Sequence, residues 1–169
     1  MKLCHSQSSP FVRKVKLAAH VLGCADELEL VETNTMDAED PIRAVNPLGK
    51  IPALDDGGIV LYDSRVIIEY LDAKAGGGKL IPASSAARFE TLTRAALMDG
   101  MMDAAILVVY EGRFRPDDKY VERFVTYQRE KIQRGLEVIA ASAPHYRNGA
   151  MPDAGEIALA CVLDYLDFR

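Results

Sequence analysis

The chain changes character at Gly76–Gly77–Gly78. Before these glycines, short apolar runs alternate with turn signals and helical periods; after them, no stretch reads as a strand. This asymmetry constrains the fold more than any other feature. It calls for an α/β unit followed by an all-α unit, each burying its own apolar faces. The expected division is residues 1–76 and 86–169, with the glycines ending a helix and serving as a linker. At 169 residues, 49% of them apolar, the chain has enough material for such cores.

In the first unit, Lys2–His5 reads as a strand. Ser8–Ser9–Pro10 is a helix start, because serine accepts a bond from an orphan backbone N–H and proline in the first turn has no N–H to lose. Val12, Val15, Ala19 and Leu22 follow near a helical period, and Gly23 is the stop. Residues 27–33 alternate as a strand does, and a connecting segment with a short helix after Pro41 comes next. At Asp55–Asp56–Gly57–Gly58, glycines that tolerate positive φ make a hairpin between two short apolar runs. Asp63 or Ser64 then caps an amphipathic helix with Val66, Ile67, Tyr70 and Leu71 on its apolar side. In the second unit, residues 86–112 form a long helix with Leu92, Ala96, Met102, Ala105 and Val109 facing inward. Residues 118–142 form another, halted before Pro144, and Asp153 caps a third.

The net charge of −5 lacks the basic footprint of a nucleic-acid binder, so no nucleic-acid partner is expected. No apolar stretch has membrane-spanning length, and the N-terminus lacks a signal-peptide core; the expectation is a cytoplasmic protein with no membrane partner. Cys4, Cys24 and Cys161 form no Cys-x-x-Cys, and His5, His20 and His145 are scattered, so neither a metal site nor a dithiol pair is expected. Such isolated thiols read as reduced.

Taken in order, "SSPFVRKV", "NPLGKIPAL" and "YDSRVIIEYLD" resemble the glutathione S-transferase family, and bacterial members with a serine or cysteine active site above all. The segments "ALMDGMMDA", "QREKIQRGLEVI" and "IALACVLDYLDFR" are similar to its helical domain. The resemblance implies a thioredoxin-like N-terminal domain, a helical-bundle C-terminal domain, glutathione as co-substrate, a small electrophile as second substrate, and a homodimer. It also implies a cis Ile51–Pro52 peptide, whose bend would let the Ile51 backbone meet glutathione as an added strand.

The resemblance assigns roles to particular residues. Ser9 stands where related proteins carry a cysteine before Pro-Phe. A helix start stabilises an anion, so a glutathione thiol held there ionises more readily, and a serine hydroxyl can donate to the thiolate. A serine cannot form a mixed disulfide. Ser8 and Ser6 are the alternatives to Ser9, and Phe11 joins the glutathione-binding set. As a plain reading, Ser9 is a helix cap, and cap and thiolate partner compete for one hydroxyl. Asp63 would meet the α-ammonium of the γ-glutamyl end, with Ser64 on its α-carboxylate; Asp63 is one methylene shorter than the family's usual Glu. Lys50 is either solvated or close to the ligand's glycine carboxylate.

Met98, Met101 and Met102 read first as core, yet the resemblance places Met98, Met102 and Tyr110 beside the electrophile pocket. Asp99 and Asp103, one turn apart, read as surface or interface charges. Two departures stand out. Family members continue through further helices beyond the place of Arg169, and Glu156 stands where their capping aspartate falls. The leading expectation is an enzyme that conjugates glutathione to an electrophile. The alternatives are a non-catalytic binding or regulatory protein of the stringent-starvation type and a thiol oxidoreductase, the last opposed by the serine at position 9.

Overall fold

The computed structural model describes residues 1–142 and 149–169; Pro144 and His145 lie outside the described residues. The first unit comprises β1 (Lys2–His5), α1 (Pro10–Leu22), β2 (Glu29–Glu32), α2 (Ile42–Val45), β3 (Ala53–Asp56), β4 (Ile59–Leu61) and α3 (Ser64–Lys74). The second comprises α4 (Ser85–Phe114), α5 (Glu122–Ala141) and α6 (Ala154–Phe168). The strands lie in the order β2-β1-β3-β4, with β2 parallel to β1 and the other neighbours antiparallel. A β-α-β crossover followed by a hairpin and a helix is a thioredoxin-like arrangement, and a helical unit follows it.

Local signals place most of these elements. Ser9 is extended and its Oγ accepts from the Val12 N–H, while Pro10 opens α1. Gly23, at φ +77°, ends it, and the Gly23 and Cys24 N–H groups return to His20 and Ala19 carbonyls. The first core joins Leu3 of β1, Val12 and Val15 of α1, and Ile67, Ile68 and Leu71 of α3. The helical phase of α3 is therefore rotated from the expected one. Val66 is exposed and Ile68 takes its place, while the half-buried Tyr70 donates its hydroxyl to Asp56.

The segment expected as a linker is a tight turn wrapped around one carboxylate. Asp72, 4% exposed, accepts from the backbone N–H groups of Gly78, Lys79, Leu80 and Ile81 at 2.8–3.4 Å. Gly76, Gly77 and Gly78 all have positive φ, which lets the chain turn that sharply. Leu80 and Ile81 then return to the first core.

In the second unit, Met98, Met101 and Met102 of α4 pack against Ala158, Cys161 and Val162 of α6. Of the expected inward residues, Met102 and Ala105 are buried, Leu92 and Val109 half-buried, and Ala96 exposed. On α5, Gly135 allows close approach: a Cβ there would lie 2.3 Å from Met101 Sδ. Asp153 caps α6 in a capping box, and Glu156 supplies the reciprocal bond to the Asp153 N–H. Glu156 is thus the partner of the capping aspartate rather than its replacement. Asp153 also accepts from Thr91 Oγ1 and pairs with Arg94, both of α4.

Asp99 is not a surface charge. It is fully buried, 2.5 Å from Lys14 Nζ of α1 and 2.7 Å from Arg65 Nε of α3, and Lys14 is itself only 2% exposed. One carboxylate of the helical unit therefore holds two helices of the sheet unit. Removing one partner of a buried pair strands the other charge, so Asp99→Ala is expected to cost about 3–5 kcal/mol. A double Lys14→Met, Asp99→Leu variant, which strands no buried ammonium, is expected to lose less. Urea unfolding of the two variants beside the parent checks this ordering.

Candidate functional site

Strand register gathers the three N-terminal motifs. Cys4 near the end of β1 lies opposite Ala53 at the start of β3, and Leu54 of β3 lies opposite Leu61 at the end of β4. The Ser6–Ser9 loop, the Ile51–Pro52 bend and the Asp63–Ser64 helix start therefore leave the sheet at the same end.

At the first of these, the Ser9 hydroxyl is half-buried and spends one lone pair on the Val12 N–H at 3.3 Å. Its own proton is not used in that bond and remains free to be donated. The expected competition between cap and thiolate partner does not arise, because the cap uses an oxygen lone pair and a thiolate would use the O–H. Pro10 has no N–H, and among the described residues nothing accepts from that of Phe11. Ser8 is exposed, with its Oγ 3.3 Å from that of Ser6. Phe11 is half-buried against the helical core.

At the second, the Ile51–Pro52 peptide is cis. Ile51 is half-buried and lies just outside the β1–β3 ladder, and Lys50 is exposed. The bend is held by a residue the sequence reading did not single out. Asn46, 2% exposed, donates through Nδ2 to the Lys50 carbonyl at 2.8 Å and accepts from the Leu48 N–H at 3.0 Å. Its signal was the Asn-Pro pair that opens "NPLGK". At the third, the exposed Asp63 caps α3 by accepting from the Arg65 N–H at 3.0 Å and from Ser64 Oγ at 3.2 Å. Ser64 is buried, and the Tyr62–Asp63 peptide is also cis. Arg65, next in sequence, is the residue that reaches Asp99.

The residues expected beside the electrophile pocket are divided between the core and the surface. Met98 and Met102, at 5% and 0% exposure, are helical core, filled by neighbours rather than offered to a substrate. Tyr110 is exposed and stacks edge-on against Phe114 at 5.0 Å, with Arg113 over its ring. The cleft beside the serines is instead closed by α6. It has a volume of about 240 Å³, with Ser8, Ser9 and Arg13 on one side and Asp164, Tyr165 and Phe168 on the other. The sequence signal for that wall is the aromatic pair in "DYLDF".

The thiols do not compete for a nucleophilic role. Burial pushes the Cys4 and Cys24 thiols up and that of Cys161 up to about 12. Desolvation also raises the Asp103 carboxyl, against the pull of the nearby Arg65. Among the described residues no group of three or more His, Cys, Asp or Glu is placed to hold a metal, and no helix is long and apolar enough to cross a membrane.

Sheet order, cis-proline bend, capped α3 start and appended helices together define a thioredoxin-like domain joined to a glutathione-transferase-type helical unit. Comparison with known proteins agrees. Residues 3–79 match the glutathione S-transferase N-terminal domain. The GST-like protein YibF of Escherichia coli (strain K12) is 32% identical over 174 residues, covering all of this chain and 83% of that protein. A glutathione transferase family member from Pseudomonas fluorescens Pf-5, solved with bound glutathione, is 44% identical. It superposes with a TM-score of 0.88 over 99% of this chain and 83% of its own. A glutathione S-transferase from Methylobacillus flagellatus KT, also solved with glutathione, is 36% identical, with a TM-score of 0.90 over the same shares. The chain belongs to the glutathione S-transferase family.

Because Ser9 is the cap of α1, Ser9→Ala is expected to cost about 0.5–2 kcal/mol of stability. Ser8→Ala, which removes no cap, is expected to cost less; thermal unfolding of both variants checks the difference.

Proposed function

We propose that the protein binds glutathione at the shared end of its sheet, lowers the pKa of the thiol and directs the thiolate at a small electrophile. The observation that carries this reading is the convergence, by strand register, of Ser9, the Ile51–Pro52 bend and the Asp63–Ser64 helix start. Glutathione fits it in three parts. The γ-glutamyl α-carboxylate meets the start of α3 and accepts the Ser64 O–H, which turns to it from Asp63, and its ammonium meets Asp63. The cysteinyl backbone extends along Ile51 as an added strand. The sulfur lies at the start of α1, where the Ser9 O–H and the Phe11 N–H are donors and the helix dipole favours negative charge. Lys50 is within the chain's reach of the ligand's glycine end. The protein supplies orientation and electrostatics, and glutathione itself is the nucleophile. The two relatives solved with bound glutathione support this assignment.

A thiol oxidoreductase is disfavoured by Ser9, which leaves no sulfur at the helix start, and by the raised cysteine pKa values. A non-catalytic binder shares the glutathione half and lacks only turnover. We further propose a cytoplasmic homodimer. The apolar residues left exposed on β4, on α3 and between them, namely Ile59, Val60, Val66 and Tyr62, support a second copy packing there.

Titration calorimetry with glutathione tests the reading first, and no binding at millimolar ligand would end it. Ser64→Ala removes a hydrogen bond to a charged group and is expected to weaken binding by about 1.5–3 kcal/mol. Turnover of 1-chloro-2,4-dinitrobenzene then separates the enzyme from the binder. Ser9→Ala is expected to raise the pKa of bound glutathione, read as thiolate absorbance against pH. If Ser8→Ala carries that shift instead, the thiolate partner is Ser8; if neither does, the backbone N–H groups act alone. Light scattering at micromolar protein is expected to give the mass of a dimer.

A further inference from the structure

We propose that the second substrate is a small electrophile bearing a carboxylate, received by Arg13 in the cleft between the start of α1 and the end of α6. The inference rests on the glutathione reading above and specifies its other half.

Three observations carry it. The cleft, of about 240 Å³, opens directly beside Ser8 and Ser9, where the thiolate would lie. The methionines that would have made an apolar wall are sealed in the core, so the surface offered next to the thiolate is polar and charged. Finally, Arg13 is the cation of that surface and stands one turn from the serine, its N–H donating to the Ser9 carbonyl at 3.1 Å. Arg13 is not consumed by its neighbour. Only Nη1 approaches Asp164, at 3.2 Å, and both side chains are about half exposed. A guanidinium has five N–H donors in a fork that matches a carboxylate, so an incoming anion can share it or displace Asp164.

The charges also set the direction of approach. The start of α1 carries partial positive charge, whereas the end of α6 carries partial negative charge together with Asp164. The Arg169 guanidinium lies over the Tyr165 and Phe168 rings, 5.5 and 4.5 Å from their centroids, and offsets that negative charge; a carboxylate is held on the α1 side, where Arg13 and the helix start act together. Its reactive carbon is thereby brought next to the sulfur, and Arg13 offsets the repulsion between two anions at close quarters. Tyr165 and Phe168 then bound the space on the far side.

Iodoacetate and iodoacetamide are a matched pair of probes, alike in leaving group and size and different in charge. With either, a sulfur lone pair forms the new C–S bond while the C–I pair leaves as iodide. The products are S-(carboxymethyl)glutathione and its amide, with no change in oxidation state that would need a further reagent. The quantity to measure is kcat/KM for each probe, from chromatographic product analysis, divided by its uncatalysed rate constant. The parent protein is expected to favour iodoacetate by this measure. In Arg13→Gln the preference is expected to fall about three- to tenfold, in Arg13→Lys to fall by less, and in Asp164→Asn to rise as the guanidinium is freed. Both positions are on the surface, and a thermal unfolding curve for each variant confirms that it is folded. A preference that Arg13→Gln leaves unchanged, one that Asp164→Asn lowers, or a wild type that favours the amide overturns the inference. If chlorodinitrobenzene is turned over in those cases, the glutathione reading survives. If glutathione does not bind at all, that reading fails and this inference fails with it.

Discussion

The fold depends on one buried carboxylate. Asp99 of α4 has no exposure to solvent and is met by Lys14 from α1 and by Arg65 from α3. Burying such a group is costly, and apolar residues of similar size often do as well for stability alone. What the apolar alternative lacks is direction. Lys14 lies in the helix whose start holds Ser9, and Arg65 follows Ser64 in the helix whose start holds Asp63. Both helix starts of the site are thus referenced to one point in the helical unit. The sheet brings the three motifs to one end, and Asp99 fixes the helices that leave that end.

In the proposed glutathione site the capping residues would also be the binding residues, and the hydrogen-bond inventory explains how one group could serve twice. A helix start has N–H groups without intrahelical partners and favours negative charge, and a Ser or Asp side chain satisfies some of them. The Ser9 lone pair serves the Val12 N–H and leaves its O–H available. At α3 the pairing is reversed: Asp63 takes the capping bond, and Ser64, whose Oγ donates to Asp63, is held beside it. The sequence alone suggested that cap and ligand contact exclude one another. At Ser9 assigning donor and acceptor separately removes the conflict; at Ser64, whose one O–H is given to Asp63, a ligand carboxylate would have to take that proton over.

What the sequence made legible was local. Helix starts at Ser9, Asp63 and Asp153, the stop at Gly23 and the Gly57–Gly58 hairpin are set by residues a few positions apart, and each stands where its chemistry put it. The cis Ile51–Pro52 bond was expected only through family likeness. Features that depend on a distant partner were misread. Asp99 carries no mark of Lys14 and Arg65, so it read only as a surface or interface charge. Val66 and Ile68 are equally apolar, and the choice between them is made by the sheet and α1. Asn46 is one polar residue in a turn until its amide is seen bridging the bend. The methionines could have been wall or core; packing against α6 makes them core.

The same distinction separates the two halves of the site. The proposed glutathione half draws on short motifs that one sheet brings to the same end, and those motifs were legible in the sequence. The proposed second-substrate half lies where α6 reaches α1, and its position is set from the opposite end of α6. There the capping aspartate pairs with Thr91 and Arg94, and the Ala154 N–H donates to the Leu80 carbonyl at 2.9 Å. Gly155 lies so close to α4 that a Cβ would come within 3.1 Å of Arg94 and 3.3 Å of the Thr91 carbonyl. With its start pinned, a helix of 15 residues delivers its last turn about 22 Å away along a fixed axis. Asp164, Tyr165 and Phe168 arrive beside Arg13 for that reason. A substitution at Gly155 or Asp153 would tilt this wall while touching none of the glutathione contacts, so the two half-sites can vary independently on one scaffold.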